Sequence, residues 1–98
     1  MSYILIPTRF FLEQLGELSY KGKQFLKEKL ELLKVDPMRN KRIIGYNLFL
    51  FRIRFLDFRK EKRIVYLVKG NEIKILCILN RDRNYKDLKK YLKKLGLL

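Results

Sequence analysis

Histidine is absent from this chain of 98 residues. Its absence excludes a nuclease that uses two histidines, a Ser-His-Asp triad and any metal site that contains histidine. Acidic residues are also few, 10 in total, and the aspartates at positions 36, 57, 82 and 87 are scattered rather than spaced as a ligand set. We therefore expect no two-metal carboxylate site, no bound metal and no cofactor.

Cysteine and long apolar runs are equally scarce. The single cysteine, Cys77, rules out an internal disulfide and lies in the apolar run IKILCIL, which predicts a buried, unreactive thiol. The longest apolar stretches have the length of a strand and are too short to span a membrane. The N-terminal segment MSYILIPTRF lacks the charged and apolar regions of a signal peptide. We expect one cytoplasmic domain over residues 1–98.

Positive charge is what the sequence has in excess. It contains 24 lysines and arginines against 10 acidic residues, for a formal net charge of +14. Such an excess in a short chain predicts a polyanionic partner. Nucleic acid is the first candidate, an acidic protein the second and an anionic membrane surface the third.

The hydrophobic pattern predicts the order β-α-α-β-β-β-α. A short strand, YILIP, ends at Pro7, and Thr8 caps the first of two helices, of which the second runs from about Tyr20 to Val35. The segment IIGYN is expected to open a strand in which Gly45 permits a bend or bulge, and three strand signals follow at residues 49–55, 63–68 and 72–79. The tail YKDLKKYLKKLGLL predicts a final amphipathic helix. This order indicates a small α+β domain in which two helices cover one face of an antiparallel sheet.

Arginines interrupt the strand pattern in the stretch LFLFRIRFLDFRKEKRIVYLV, residues 48–68. Because side chains alternate across a strand, the aromatic residues face the core, and Arg52 and Arg54 share the opposite face. Their Cα atoms lie about 6.5–7 Å apart, which suits binding of one phosphate or two neighbouring ones. Arg63 opens the next strand. Whether it joins Arg52 and Arg54 depends on a register that the connection LDFRKEK leaves open.

A second basic cluster, NRDRNY, follows the last strand with Arg81, Arg83 and Tyr85. Such a cluster can bind a phosphate and stack on a base. The alternative is that the arginines are solvated turn residues and that Tyr85 packs the last helix. Without histidine or metal, cleavage of a phosphodiester would rely on arginine, lysine and tyrosine. RNA permits this because its 2′-hydroxyl is a built-in nucleophile.

These segments, in this order, resemble the RelE/ParE superfamily of toxins from toxin–antitoxin modules. IIGYNLFLFRIR is similar to the family segment L-x-G … YRIR, RIVYLV to its RIIY strand, and ILCILNRDRNY to its ending HR-x-x-Y. The resemblance spans nearly the whole chain and implies a RelE-like fold. RelE-type toxins cleave mRNA in the ribosomal A site by 2′-hydroxyl attack, without metal, and leave a cyclic phosphate. ParE-type toxins inhibit DNA gyrase and lack the catalytic set.

The resemblance implies roles for individual residues. Arg63 and Arg81 bind and stabilise the phosphate, Arg81 helps to protonate the leaving oxygen, and Tyr85 orients the nucleotide. The implied catalytic set is Arg52, Arg54, Arg63, Arg81 and Tyr85. Further RNA contacts are expected from Arg59, Lys60, Lys62 and Arg83.

Two departures affect the chemistry. RelE enzymes carry lysines on the central strand where this chain has arginines, and Asn80 stands where many relatives have histidine. Arginine in practice does not lose its proton, so the role of general base would pass to Tyr85.

The resemblance also implies partners: an acidic, RelB-like antitoxin in a hetero-oligomer, the ribosome and mRNA, with no membrane. The antitoxin would displace the last helix. Three functions remain in competition at this point. The favoured one is a toxin that acts as a ribosome-dependent endoribonuclease. The others are a gyrase-inhibiting toxin and a non-toxic module that binds nucleic acid.

Overall fold

The computed structural model describes residues 3–83 and 85–98. Within this part of the chain it has five strands, three α-helices and one short 3-10 helix. In chain order these are β1 (Ile4–Pro7), α1 (Arg9–Gly16), α2 (Tyr20–Leu33), β2 (Lys41–Ile43), β3 (Leu50–Asp57), β4 (Lys60–Lys69), β5 (Glu72–Asn80), the 3-10 helix (Arg81–Arg83) and α3 (Leu88–Lys94). No helix among the described residues is long and apolar enough to cross a membrane.

The strands form one sheet in the order β1-β5-β4-β3-β2. Strands β2 to β5 pair antiparallel, as predicted, whereas β1 pairs parallel with β5. A parallel pair needs a long crossover connection, and the helices lie in the connection that follows β1. The predicted α+β class is therefore confirmed, with a sheet that is mixed rather than wholly antiparallel.

The chain bends at Gly45, as predicted, but the strand expected to open within IIGYN ends before that bend. The additional strand β2 ends at Ile43, and Gly45 has a φ of +109°, a conformation that only glycine adopts readily. The chain therefore turns out of the sheet within IIGYN and rejoins it at Leu50. As a result β2 is only three residues long and pairs with only the first part of β3.

The β3–β4 connection is tighter than the sequence indicates. Phe58 and Arg59 both have positive φ, 51° and 63°, and form a two-residue hairpin turn of the kind that matches the twist of antiparallel strands. Both strands therefore run to the tip of the hairpin. The segment LDFRKEK, which looks like a loop in the sequence, is largely strand.

The two faces of the sheet are packed differently. On one face, Phe51, Ile53 and Phe55 are buried against helices α1 and α2. On the other, Leu50 and Cys77 belong to a second apolar cluster beneath α3. Cys77 is fully buried, which confirms that prediction, and its burial raises the pKa of the thiol to about 12. Helix α3 covers only part of this second face, and the arginines lie towards its uncovered end.

A buried carboxylate joins helix α2 to the end of β3. Asp57 is 3% exposed and accepts hydrogen bonds from the Ser19 backbone N–H at 3.1 Å and from the Ser19 hydroxyl. The Ser19 oxygen in turn accepts from the Gly22 N–H at 3.0 Å and caps the helix. A Cβ atom on Gly22 would lie 2.5 Å from an Asp57 oxygen, so glycine is required there. This contact fixes the arginine-bearing strand relative to α2.

Candidate functional site

The register of the β3–β4 hairpin places three arginines on one face. Arg54 lies directly opposite Arg63, and Arg52 lies opposite Val65. Arg52, Arg54 and Arg63 therefore share the face that α3 partly covers. The question left open by the sequence is thus answered: Arg63 joins the other two.

The arginines differ in exposure. Arg52 and Arg63 are buried, at 8% and 7% exposed, whereas the side chains of Arg54 and Arg81 are 55% and 67% exposed. Burial lowers the pKa of Arg52, and the neighbouring charges of Arg54 and Arg63 lower it further, while Tyr85 and Glu61 act in the opposite direction. The guanidinium nevertheless stays protonated. Two fixed charges therefore lie inside the site and two at its rim.

Tyr85 lies beside Arg63. The centre of its ring is 4.8 Å from the Arg63 guanidinium carbon, a cation–π distance. Tyr85 is also partly buried against the apolar cluster beneath α3. The apolar packing that orients the Tyr85 ring therefore also keeps its phenol next to Arg63.

Glu61 is a member of this site that the sequence analysis missed. One carboxylate oxygen lies 2.7 Å from Arg81 Nε, and the other lies 4.0 Å from Arg54 Nη1. The contact with Arg81 is an ion pair by distance, but it lacks the alignment of a hydrogen bond. Because the hairpin turn is tight, β4 begins at Lys60, and Glu61 therefore lies on the same strand face as Arg63, two residues away. The sequence predicts a loop in this segment and so does not place Glu61 on that face.

Two clefts flank the arginines. The larger has a volume of about 960 Å³ and is lined by Leu56, Arg59, Lys60, Glu61, Lys62, Arg63, Asn80 and Arg81. The smaller has about 440 Å³ and is lined by Phe25, Lys29, Asn40, Lys41, Arg52, Ile53 and Arg54. The predicted catalytic arginines are thus divided between the clefts, two in each, with Glu61 between Arg54 and Arg81. Three of the predicted RNA-binding residues line the larger cleft.

Solved structures share this arrangement of strands and helices. A variant of the toxin RelE from E. coli in the free state matches with a TM-score of 0.77 at 17% identity, over 97% of this chain and 98% of that one. This chain has the RelE fold. The RelE-type fold is likewise seen in the intact E. coli RelBE toxin–antitoxin complex, with a TM-score of 0.68 at 20% identity over 81% of this chain and 96% of that one.

An archaeal RelE–RelB complex from Pyrococcus horikoshii is similar as well, with a TM-score of 0.65 at 21% identity over 85% of this chain and 99% of that one. No protein-family model and no curated protein matches the sequence. The RelE fold is therefore established by three-dimensional similarity at low sequence identity.

Arg83 lies outside both clefts of this RelE fold. It donates two hydrogen bonds to the Asp87 carboxylate, at 2.6 and 3.1 Å, and these bonds hold the pKa of Asp87 below its usual range. The pair precedes α3 and links the 3-10 helix to the start of that helix. RNA binding by Arg83 stays a prediction.

Proposed function

We propose that this chain is the toxin of a type II toxin–antitoxin system and a ribosome-dependent endoribonuclease that cleaves mRNA in the A site. The observation that carries the proposal is the convergence of four arginines and Tyr85 at one end of one sheet face, on a RelE fold. A plain RNA-binding surface would not need buried guanidiniums beside a tyrosine. Buried charge of this kind is costly and is typical of reactive sites.

The reaction that suits these groups is internal transesterification. The RNA 2′-oxygen attacks the adjacent phosphorus, the bond to the 5′-oxygen breaks, and a cyclic phosphate remains. Negative charge grows on the phosphate oxygens, and Arg63 and Arg81, which line the larger cleft, neutralise it. The protein needs to hold the reacting atoms in line and supply charge, so this step involves no metal or covalent nucleophile.

Proton transfer is assigned here among the residues that the sequence predicted to be catalytic. The 2′-hydroxyl must lose a proton and the leaving 5′-oxygen must gain one. Arginine keeps its proton, so we assign acceptance of the 2′-hydroxyl proton to the deprotonated Tyr85 oxygen, the phenolate, beside Arg63. Arg81, whose side chain is exposed at the rim, is placed to donate a hydrogen bond that stabilises the leaving 5′-oxygen, and that oxygen takes its proton from water.

In this proposal Glu61 occupies the position of the phosphate in the free protein. Its carboxylate lies between Arg54 and Arg81, where it holds two exposed guanidiniums with poor hydrogen-bond alignment. A phosphate offers charge-assisted, bidentate contacts to the same groups and would displace it. Binding of RNA would then release Arg54 and Arg81 from Glu61.

The proposed partner is an acidic antitoxin of the RelB type. The net charge of +14 favours a polyanionic ligand, and two of the similar solved structures are RelE–RelB complexes. Helix α3 is the segment we expect the antitoxin to displace. It is only seven residues long and is anchored chiefly by Leu88 and Leu92. The ribosome, mRNA and antitoxin together place the proposed activity in the cytoplasm.

The test is a toeprint assay on programmed ribosomes with purified, antitoxin-free protein. A new cut at the A-site codon is expected for the wild type and should be lost in Arg81→Ala and Tyr85→Ala. Arg9→Ala is the matched control, because Arg9 lies on α1 outside both clefts with its side chain 84% exposed, 4.0 Å from Glu13 and 5.9 Å from the centre of the Phe10 ring. Thermal unfolding of each variant separates loss of the site from loss of the fold.

No cut, combined with growth arrest in cells, would contradict the nuclease proposal and favour a gyrase-directed toxin. No cut and no arrest would favour a module that only binds nucleic acid.

A further inference from the structure

The sheet sets like charges directly opposite each other at two places. Arg54 faces Arg63 across β3 and β4, and Lys41 faces Arg52 across β2 and β3. Like charges opposed in this way destabilise a sheet. The first pair has Glu61 within 4.0 Å of Arg54. By contrast, no ion pair between described residues includes Lys41 or Arg52.

The pair of Lys41 and Arg52 destabilises the folded protein more than the pair of Arg54 and Arg63 does, because of the environment of Arg52. It is 8% exposed, and its Nη1 atom is buried without a hydrogen-bond partner among residues 3–83 and 85–98. A buried donor that carries charge and lacks a partner opposes folding. An anion that reached this guanidinium would remove that cost, so the position favours binding of a negatively charged group.

The smaller cleft provides the space for such a group. It has a volume of about 440 Å³, within the range of small-molecule sites, and lies beside the β3 edge where the pairing with β2 stops at Lys41. Lys29, Lys41, Arg52 and Arg54 supply four positive charges to its lining, and no acidic residue lines it. None of the ion pairs between described residues involves Lys29.

We infer that the smaller cleft binds a second phosphate of the RNA strand, next to the phosphate held by Arg63 and Arg81. This inference rests on the proposed function in one respect, namely that RNA is the ligand. Arg54 connects the two sites, because it lines the smaller cleft and also lies 4.0 Å from Glu61 of the larger one. The RNA would therefore cross β3, from the β4 side to the β2 side.

A phosphate suits the cleft better than a peptide carboxylate does. The cleft adjoins the larger one through Arg54, and a nucleic acid carries a regular series of backbone phosphates where a peptide carries carboxylates at irregular spacing. Arg52 and Arg54 project from one strand face about 6.5–7 Å apart. Arg54 also lies directly opposite Arg63 of the larger cleft, so successive phosphates of one chain can contact both clefts. A polyanion with a regular charge spacing is the ligand that matches this geometry.

The experiment measures affinity for a short oligouridylate with 2′-O-methyl groups, which cannot be cleaved. Lys41→Gln and Lys29→Gln are compared with Lys27→Gln, which removes the same charge from an exposed position on α2 that lines neither cleft. We expect roughly three- to tenfold weaker binding for the first two variants. We also expect the slope of log affinity against log salt to become shallower by about 0.7 for each.

Neutralising one RNA phosphate at a time identifies the occupant. With methylphosphonate linkages, neutralising either of two adjacent positions should weaken binding to the wild type, and one of the two should have a smaller effect in Lys41→Gln. Affinities equal to that of Lys27→Gln would overturn the inference. So would a loss of affinity for polyglutamate that spares the oligouridylate. Because the probe cannot be cut, this experiment measures binding alone. Its outcome therefore does not depend on whether the toeprint assay detects cleavage.

Discussion

Alternate residues of strand β3 form two faces that differ in packing and in charge. Phe51, Ile53 and Phe55 are sealed beneath helices α1 and α2, whereas Arg52 and Arg54 lie on the face where α3 covers only the apolar half. One face is closed by packing and the other is left open at one end with unbalanced charge. The difference shows that a single strand can hold both the core and the candidate site. Its odd and even positions should therefore respond to mutation in different ways.

The largest expected effect is on stability, from the sealed face. Phe51 is 4% exposed and its ring stacks on Tyr66 at 5.4 Å between centroids. Phe51→Ala should lower the free energy of unfolding by about 3–5 kcal/mol, since it removes a buried ring and leaves a cavity. Urea denaturation measures the loss.

The matched variant on the open face is Arg54→Ala. It removes an exposed side chain and relieves the repulsion with Arg63, so we expect a change within about 0.5 kcal/mol. If Arg54→Ala destabilised the protein as much as Phe51→Ala, the contrast between the faces would not hold.

A smaller effect should follow from titration of Tyr66. This fully buried phenol donates a hydrogen bond to the Pro37 carbonyl at 2.6 Å and accepts one from Asn40. Burial raises its pKa from 10.0 to about 12, so the unfolded chain loses this proton at lower pH than the folded one does. The protonated Tyr66 phenol therefore contributes about 2–3 kcal/mol to the free energy of unfolding. This contribution is fully present below pH 10 and should be lost as the pH rises to about 12.

Urea denaturation at a series of alkaline pH values measures this loss. Tyr66→Phe is the control, because it lacks the titrating group while the lysines and other tyrosines are unchanged. The pH dependence of the wild type should be steeper than that of Tyr66→Phe between pH 10 and 12. Parallel curves would contradict the assignment.

The smallest expected effect sharpens the role of the open face. Glu61→Gln should bind the uncleavable oligouridylate roughly three- to tenfold more tightly than the wild type, because it removes the carboxylate between Arg54 and Arg81. Glu31→Gln is the control, since Glu31 is an acid on α2 in an exposed ion pair with Lys34. Titration of both variants, followed by fluorescence anisotropy, gives the comparison. Weaker binding by Glu61→Gln alone would indicate that Glu61 positions Arg81 rather than occupying the site of a phosphate.

The sequence predicted the parts of this architecture that depend on periodicity. Alternation along LFLFRIRF assigned Phe51 and Phe55 correctly to the core and the arginines to the other face, and Thr8 caps its helix as expected. The same assignment was wrong for Phe49, which is 52% exposed because it precedes the first residue of β3. The register of β4 could not be predicted, because Phe58 and Arg59 form the turn at positive φ without the glycine or asparagine that normally marks it. Glu61 and the place of Arg63 depend on that turn.

The smaller cleft was beyond prediction for a different reason. Lys29 and Lys41 come from a helix and from a three-residue strand, and only tertiary packing brings them to the β3 edge. On its own strand or helix each is an ordinary surface lysine. Sequence reasoning therefore missed these two lysines, which meet only in the folded protein.

The parallel pairing of β1 with β5 has a consequence for synthesis. Thr8, next to β1, donates a hydrogen bond to the carbonyl of Leu76, 68 positions further along the chain, and β5 also supports β4 and its Arg63. A nascent chain therefore cannot complete this sheet until β5 has left the exit tunnel of the ribosome. The sheet face that carries Arg52, Arg54 and Arg63 is therefore assembled only near the end of translation. Until then, the ribosome that makes this protein meets no complete site.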